Sequence, residues 1–323
     1  MKRKKIIIVL LLITSIFVIK GGINAGIIEN ITGKGYAEKG INNQRSTSGD
    51  GWYEGSSRQD VSKDEFGEDN ENIRYQTFPI VNNVLDKDSY YDYSNSKLAW
   101  YMVRKDNHEP TGCDETIDIY KYGGYHIDKH ATDTDKVIYL TFDCGYENGY
   151  TSQILDVLKE QNVPACFFVT QTYIRDNIEL TKRMKAEGHQ VGNHTVTHPS
   201  LPGKSYEEIM EEVNGCADYM AENTGYNMDP FLRPPMGEYS ERTLQLTKDL
   251  GYKTIFWSMA YLDYDVNNQP GVAYVVDHFE KYHHNGAVVL MHNVSSSNAD
   301  ALETVIVNMK EKGYRFASLN ELK

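Results

Sequence analysis

Apolar positions along the chain follow three different rhythms. Ile6 to Ile19 is one continuous apolar run relieved only by Thr14 and Ser15. From Gly26 to about Ser96 no periodicity is sustained. From about Leu98 onward, short apolar runs alternate with stretches at helical spacing. Val137 to Phe142 is nearly all apolar and ends at Asp143 and Gly145, as expected of a strand covered on both faces. Ile154, Leu155 and Leu158 then predict a helix within 149–161, and Ala165 to Val169 predicts a second strand. A helical stretch follows through Met184 and Ala186, with a short strand over 188–193. Helices are predicted over 207–223, 240–250, 273–282 and 298–312, and strands over 254–257, 287–291 and 315–317. Strands alternating with helices imply a parallel sheet with right-handed crossovers. Six or seven such units in about 200 residues predict an α/β fold, a distorted (β/α) barrel that is closed or partly closed.

The first rhythm is a localisation signal. Lys2, Arg3, Lys4 and Lys5 precede the apolar run, and Gly21, Gly22, Ala25 and Gly26 follow it. The run is shorter than the roughly 20 residues a membrane span needs, so residues 1–25 read as a secretory signal peptide. Ile23-Asn24-Ala25 stands where a small-x-small cleavage site is expected, which keeps an uncleaved N-terminal anchor as the alternative. Either way the chain is expected to be exported across the cytoplasmic membrane, to be secreted, held in the wall or anchored. Residues 26–96 hold Ser, Asn, Gly and the acidic stretch Asp64, Glu65, Glu68, Asp69 and Glu71. Such a composition buries too little apolar surface to order itself, and reads as a polar linker. The domain proper is expected at 97–323.

Composition narrows the function classes. A formal charge of -13 argues against a nucleic-acid partner, because phosphate backbones reward clustered Lys and Arg. It leaves sugars open, and 24 Tyr residues suit a sugar-binding surface, although Tyr is equally a strand and core residue. Cys113, Cys144, Cys166 and Cys216 are too few for a disulfide scaffold, so one disulfide or none is expected.

Chemistry concentrates where strands are predicted to end. His194 and His198 lie four residues apart, a spacing that on a helical turn would let two imidazoles share one divalent metal. Two ordinary loop histidines are the bland alternative. Asp143 closes a buried strand and could ligate a metal, take a proton from water, or merely cap a turn. Arg233, in Leu232-Arg233-Pro234-Pro235-Met236-Gly237, has its backbone fixed by two prolines and calls for a carboxylate partner. His292 ends the strand from Val288 and could donate a proton, with Asp263 to orient it. Together these are the parts that metal-assisted hydrolysis needs.

The ordered set Thr141-Phe142-Asp143-Cys144, His194-x3-His198, Arg233-Pro234-Pro235-Met236-Gly237, Asp263-Tyr264 and Leu290-Met291-His292 resembles the NodB-homology polysaccharide deacetylases, carbohydrate esterase family four. The phrase from Tyr139 to Thr151, with Phe256-Trp257-Ser258, Asn267-Asn268-Gln269, Asp106 to Pro110 and Tyr122-Gly123-Gly124, is similar to the delta-lactam-biosynthetic de-N-acetylases of endospore formers. That resemblance implies a distorted β/α barrel. It further implies removal of the acetyl group from N-acetylmuramic acid in peptidoglycan, after which the amine can close to muramic δ-lactam in spore cortex. By the same resemblance Asp143 would be the base, held by Arg233, and His292 the acid, tuned by Asp263. His194 and His198 would bind a divalent metal, zinc being expected, and Leu290 and Tyr264 would line the acetyl pocket. Most relatives carry Trp where Tyr264 stands.

Most of the wider family has a second Asp as third metal ligand where this chain has Cys144. Three readings stay open for it: a thiolate ligand completing a Cys/His/His set suited to zinc, a neutral bystander, or a partner for Cys166. Two rival functions are an N-acetylglucosamine or chitin-type deacetylase, and a wall-binding module that has lost catalysis. The expected partner is the peptidoglycan glycan strand; no protein partner is evident and a monomer is expected.

Overall fold

A computed structural model describes residues 87–323. The segment expected as signal or anchor (1–25), and all of the expected linker except 87–96, lie outside the described residues. Of those last linker residues, Tyr90 is buried and most of the others are exposed. Helix α1 (Lys87–Tyr90) buries Tyr90 to 1 % exposure. The carbonyls of Tyr91 and Tyr93 accept hydrogen bonds from the Arg242 guanidinium, both at 3.1 Å.

The main sheet contains, in chain order, β1 (Gly124–Tyr125), β2 (Val137–Cys144), β3 (Ala165–Val169), β4 (Gln190–Asn193), β5 (Phe231–Leu232), β6 (Lys253–Ile255), β7 (Ala287–His292) and β8 (Arg315–Phe316). Seven of them form one parallel path in the order β7-β2-β3-β4-β5-β6-β1, and β8 pairs with the first two residues of β2. The sheet curls into a half-barrel, the partly closed form of the expected barrel. Isolated bridges from Ile127 to Ala287 and from Met259 to Val289 reach across its open side. Asp128 N–H also donates to the Gly286 carbonyl there, at 2.9 Å. Gly286 has φ +76°, and a Cβ on it would stand 2.3 Å from the Asp128 carbonyl oxygen, so the crossing requires glycine.

Period-two alternation divides the core. Ile138, Leu140 and Phe142 of β2 face the helices α2 (Thr151–Glu160) and α8 (Ser296–Glu311), meeting Ile154, Leu155, Leu158, Leu302 and Val305. Tyr139, on the other face, joins Cys166, Phe168, Phe231, Ile255 and Val288 inside the half-barrel. Each fully buried side chain of this size contributes about 1.5–3 kcal/mol. The remaining helices are α3 (Gln171–Asp176), α4 (Ile178–Ala186), α5 (Tyr206–Thr224), α6 (Glu241–Asp249) and α7 (Val272–Tyr282). α5 starts on a capping box: Ser205 Oγ accepts from Glu208 N, and Ser205 N donates to Glu208 Oε2 at 2.7 Å. Residues 98–125 pack as an arm on one flank, with Trp100 stacked on Phe256 at 4.5 Å between ring centres.

Because all seven strands run the same way, their C-terminal ends collect at one rim. Asp143, Asn193, Leu232 and His292 all stand there, each at or next to the end of its strand.

Candidate active site

Asp143 and His292 are register partners on the adjacent strands β2 and β7, so one carboxylate and one imidazole end side by side. Each is held by a group from elsewhere on the rim. Asp143 Oδ1 accepts from Arg233 Nη1 at 2.7 Å. Arg233 is 0 % exposed; its Nε donates to the Ile255 carbonyl at 3.0 Å, and its guanidinium lies over the Phe168 ring at 4.3 Å. Pro234 is extended and Pro235 opens a 3-10 turn over Pro235–Gly237, and Arg233 N–H bonds the Asn193 carbonyl at 3.0 Å. Burial alone would raise the Asp143 carboxyl, but Arg233, His194 and His292 overcome it and hold the group below the usual carboxylate range.

His292 is set in the opposite sense. Asp263 Oδ1 lies 2.7 Å from His292 Nδ1, and Asp263 Oδ2 accepts the His292 backbone N–H at 2.8 Å. Asn298 Nδ2 donates to Asp263 Oδ2 at 2.6 Å, completing the shell of a carboxylate that is 1 % exposed. Burial opposes a charged imidazole, yet Asp263 and Asp143 outweigh it and hold His292 above the ordinary imidazole value. The rim therefore favours the charged form of both the carboxylate and the imidazole beside it, the pairing that base and acid work require.

His194 and His198 also meet, though not on the expected helical turn. Residues 194–199 form no helix; Thr195 has φ +71° and His198 has φ +59°. Positive φ is costly for a β-branched residue, and Thr195 is held there from several sides. Its N–H donates to Asn193 Oδ1 at 2.9 Å, its carbonyl accepts from Gln171 N–H at 3.1 Å, and its Oγ1 accepts from His198 N–H at 3.0 Å. The fold-back brings the two imidazole centres to 4.7 Å. His194 Nδ1 lies 2.8 Å from the Arg233 carbonyl, which can only accept, so the proton sits on Nδ1 and the Nε2 lone pair is free. That Nε2 is 3.6 Å from Asp143 Oδ2. Burial lowers both imidazoles, His198 to about 3, which keeps them neutral as metal ligands must be.

This donor set fits a divalent ion. Two neutral imidazoles, one with its second nitrogen fixed on a backbone carbonyl, are the usual protein contribution to a catalytic site that leaves positions for water and substrate. Among the described residues no three His, Cys, Asp or Glu side chains converge as a ready-made cage. A metal held by the two imidazoles would thus take its other ligands from water, substrate or Asp143 Oδ2.

Tyr264 meets His292 edge to face at 5.6 Å, and Leu290 lies two residues before His292 on the same face of β7. Cys144 is not brought to the imidazoles. It follows Asp143 on a strand, so its side chain turns to the helix-facing core with Phe142 and Ile154, where it is fully buried. Burial and the neighbouring Asp143 raise this thiol well above its ordinary value. Cys166 lies on the interior face, and both are free thiols. The geometry is that of a buried bystander, not of a thiolate ligand or a disulfide. The sequence reading passed over Asn193, Asn293 and Asn298. Asn193 and Asn293 adjoin the motif histidines His194 and His292 in the sequence, whereas Asn298, six residues past His292, is brought to Asp263 only by the fold.

Comparison with known proteins agrees with this geometry. A polysaccharide deacetylase family model matches residues 130–255. The chain is 42 % identical over 230 residues to the peptidoglycan-N-acetylmuramic acid deacetylase PdaA of Bacillus subtilis, covering 71 % of this chain and 86 % of that protein. The solved structure of Bacillus subtilis PdaA, described as a family 4 carbohydrate esterase, superposes with a TM-score of 0.67 over 71 % of this chain and 97 % of that one. A peptidoglycan-N-acetylglucosamine deacetylase of Bacillus cereus is 30 % identical, over 68 % of this chain and 98 % of its own length. With the motifs gathered on one rim and these likenesses across the described domain, the chain belongs to the polysaccharide deacetylases of carbohydrate esterase family 4.

Proposed function

We propose that this protein removes the acetyl group from N-acetylmuramic acid in peptidoglycan, outside the cytoplasmic membrane, as the step that precedes muramic δ-lactam in spore cortex. The observation that carries the reading is the opposed setting of two neighbouring groups: Asp143 paired with Arg233, which lowers its carboxyl, and His292 paired with Asp263, which raises its imidazole. The 42 % identity to an N-acetylmuramic acid deacetylase supports the choice of sugar.

In this mechanism Asp143 accepts the proton of the attacking water, and Arg233 keeps its carboxylate aligned and charged. His292 gives its Nε2 proton to the departing amine nitrogen, while Asp263 holds Nδ1 and compensates the charge. His194 and His198 hold a divalent ion, zinc suiting their nitrogen donors, and that ion when bound supplies Lewis-acid activation of water and of the amide carbonyl. Leu290 and Tyr264 bound the space for the acetyl methyl. Acetate leaves, and the free amine stands next to the lactyl carboxyl with which a lactam can form. The N-terminal basic and apolar segment supports export, which places the enzyme with its polymeric substrate.

The test is direct. Zinc-loaded full-length protein is incubated with purified peptidoglycan, acetate is measured, and the digested muropeptides are identified by mass spectrometry. Muropeptides lacking the muramic acetyl group are expected. Loss of acetyl from glucosamine alone would favour the second reading, for which the 30 % identical Bacillus cereus enzyme speaks. No acetate at all would overturn both.

A further inference from the structure

We propose that Tyr146 is a substrate-positioning residue, a stacking platform for the sugar next to the one being deacetylated. The inference rests on the glycan reading above. Tyr146 lies three residues beyond Asp143, in the loop joining β2 to α2, and half of its surface is open to solvent (50 %). Among the described residues its ring pairs with no other aromatic ring and its hydroxyl has no hydrogen-bond partner.

An isolated exposed tyrosine is ordinary on a protein surface. Here the loop beneath it is braced far beyond what a surface turn needs. Asn293, the residue after His292, is fully buried and donates from Nδ2 to the Tyr146 carbonyl at 3.0 Å. The next residue, Glu147, accepts from Gly149 N–H at 2.6 Å, Thr151 N–H at 3.2 Å and Asn293 Nδ2 at 3.3 Å, and also from the Thr151 and Tyr173 hydroxyls. Asn148 Nδ2 then donates to the Val294 carbonyl at 3.0 Å. The loop is tied to the segment carrying His292 at two successive residues, Asn293 and Val294.

Rigid backbone under a solvent-facing ring loses little freedom when a ligand lands on it. The placement restricts what can land. Its loop leaves the rim three residues after Asp143, and its carbonyl is bonded to the residue that follows His292, so the exposed ring belongs to the edge of the site. A glycan strand must run on from the reacting sugar, and the apolar face of a pyranose is what an unpartnered aromatic ring accepts. Tyr264 stands against His292 itself, so Tyr146 is free to serve a neighbouring unit.

The test compares wild type, Tyr146→Ala and Tyr146→Phe as full-length zinc-loaded proteins, on peptide-stripped glycan strands and on an N-acetylated monosaccharide. For Tyr146→Ala on the polymer, KM should rise roughly two- to tenfold while kcat changes little, the size of one aromatic contact. Tyr146→Phe keeps the ring and should recover most of the affinity, and the alanine effect should shrink on the monosaccharide. Because the side chain is exposed, thermal stability of both variants should match wild type and report intact folding. An unchanged KM in Tyr146→Ala, or an equal loss on polymer and monosaccharide, would overturn the inference. Failure of wild type to release acetate would instead overturn the glycan reading, so the two failures are told apart.

Discussion

Replacing Asp263 with Asn removes one charge and almost no volume, which isolates what the carboxylate does for His292. Asp263 is buried, and its Oδ1 sits 2.7 Å from Nδ1. An opposite charge in such contact raises an imidazole by about 1–3 pK units, and its loss should lower His292 by that amount. Each unit is a factor of ten in protonation. The working acid is the protonated ring, present below its pKa and lost as pH rises through it. The alkaline limb of the pH–rate profile should therefore move down by about 1–3 units in Asp263→Asn, and the rate at a pH above the parent's limb should fall by about 10- to 1,000-fold. The acid limb, set by Asp143 and the two imidazole ligands, should stay where it is. The same linkage acts on stability. In the parent, the pair contributes fully below the ordinary imidazole value and fades as pH rises through the raised one. The assay is acetate release from peptidoglycan across pH by wild type and variant, with urea denaturation alongside. An alkaline limb that does not move would refute the reasoning, because His292 would then owe its protonation to something other than Asp263.

Three further outcomes are expected. Arg233→Ala should cost about 3–5 kcal/mol in denaturant unfolding, because it leaves the Asp143 carboxylate buried and unpaired, whereas Arg233→Met with Asp143→Leu should regain most of that stability. Cys144→Ala should bind zinc as tightly as the parent by titration calorimetry and still release acetate; weaker binding would restore the thiolate-ligand reading. A chelator should stop acetate release with the circular dichroism unchanged, added zinc should restore it, and zinc should fail to restore it in His194→Ala.

How far the residues spoke for themselves depended on how locally each element is determined. The strand from Val137 was legible because every residue of it is buried, and α5 because its capping box and apolar spacing agree. β1 and β5 were not, since two residues carry no period and become strands only through neighbours already in place. The two histidines were legible as a pair, but the turn that joins them was misread. Spacing of four suggested a helix, while the observed loop depends on Asn193 and Gln171 holding Thr195 at positive φ. Residues 87–96 look like linker by composition, yet they dock through Tyr90 and through carbonyls that Arg242 seeks out. Arg233 and Asp143 are 90 residues apart, and only the curl of the sheet makes them partners.

That pair has a bearing on the ionic conditions in which the protein can work. Dissolved salt screens charges over about 8 Å at physiological strength, but only where ions can approach. Arg233 lies wholly inside the half-barrel, between the Phe168 ring and the carboxylate it serves. Mobile ions reach the outside of this acidic chain and not that contact. Salt should therefore alter how the protein approaches an anionic wall, and leave the charge state of its site almost untouched.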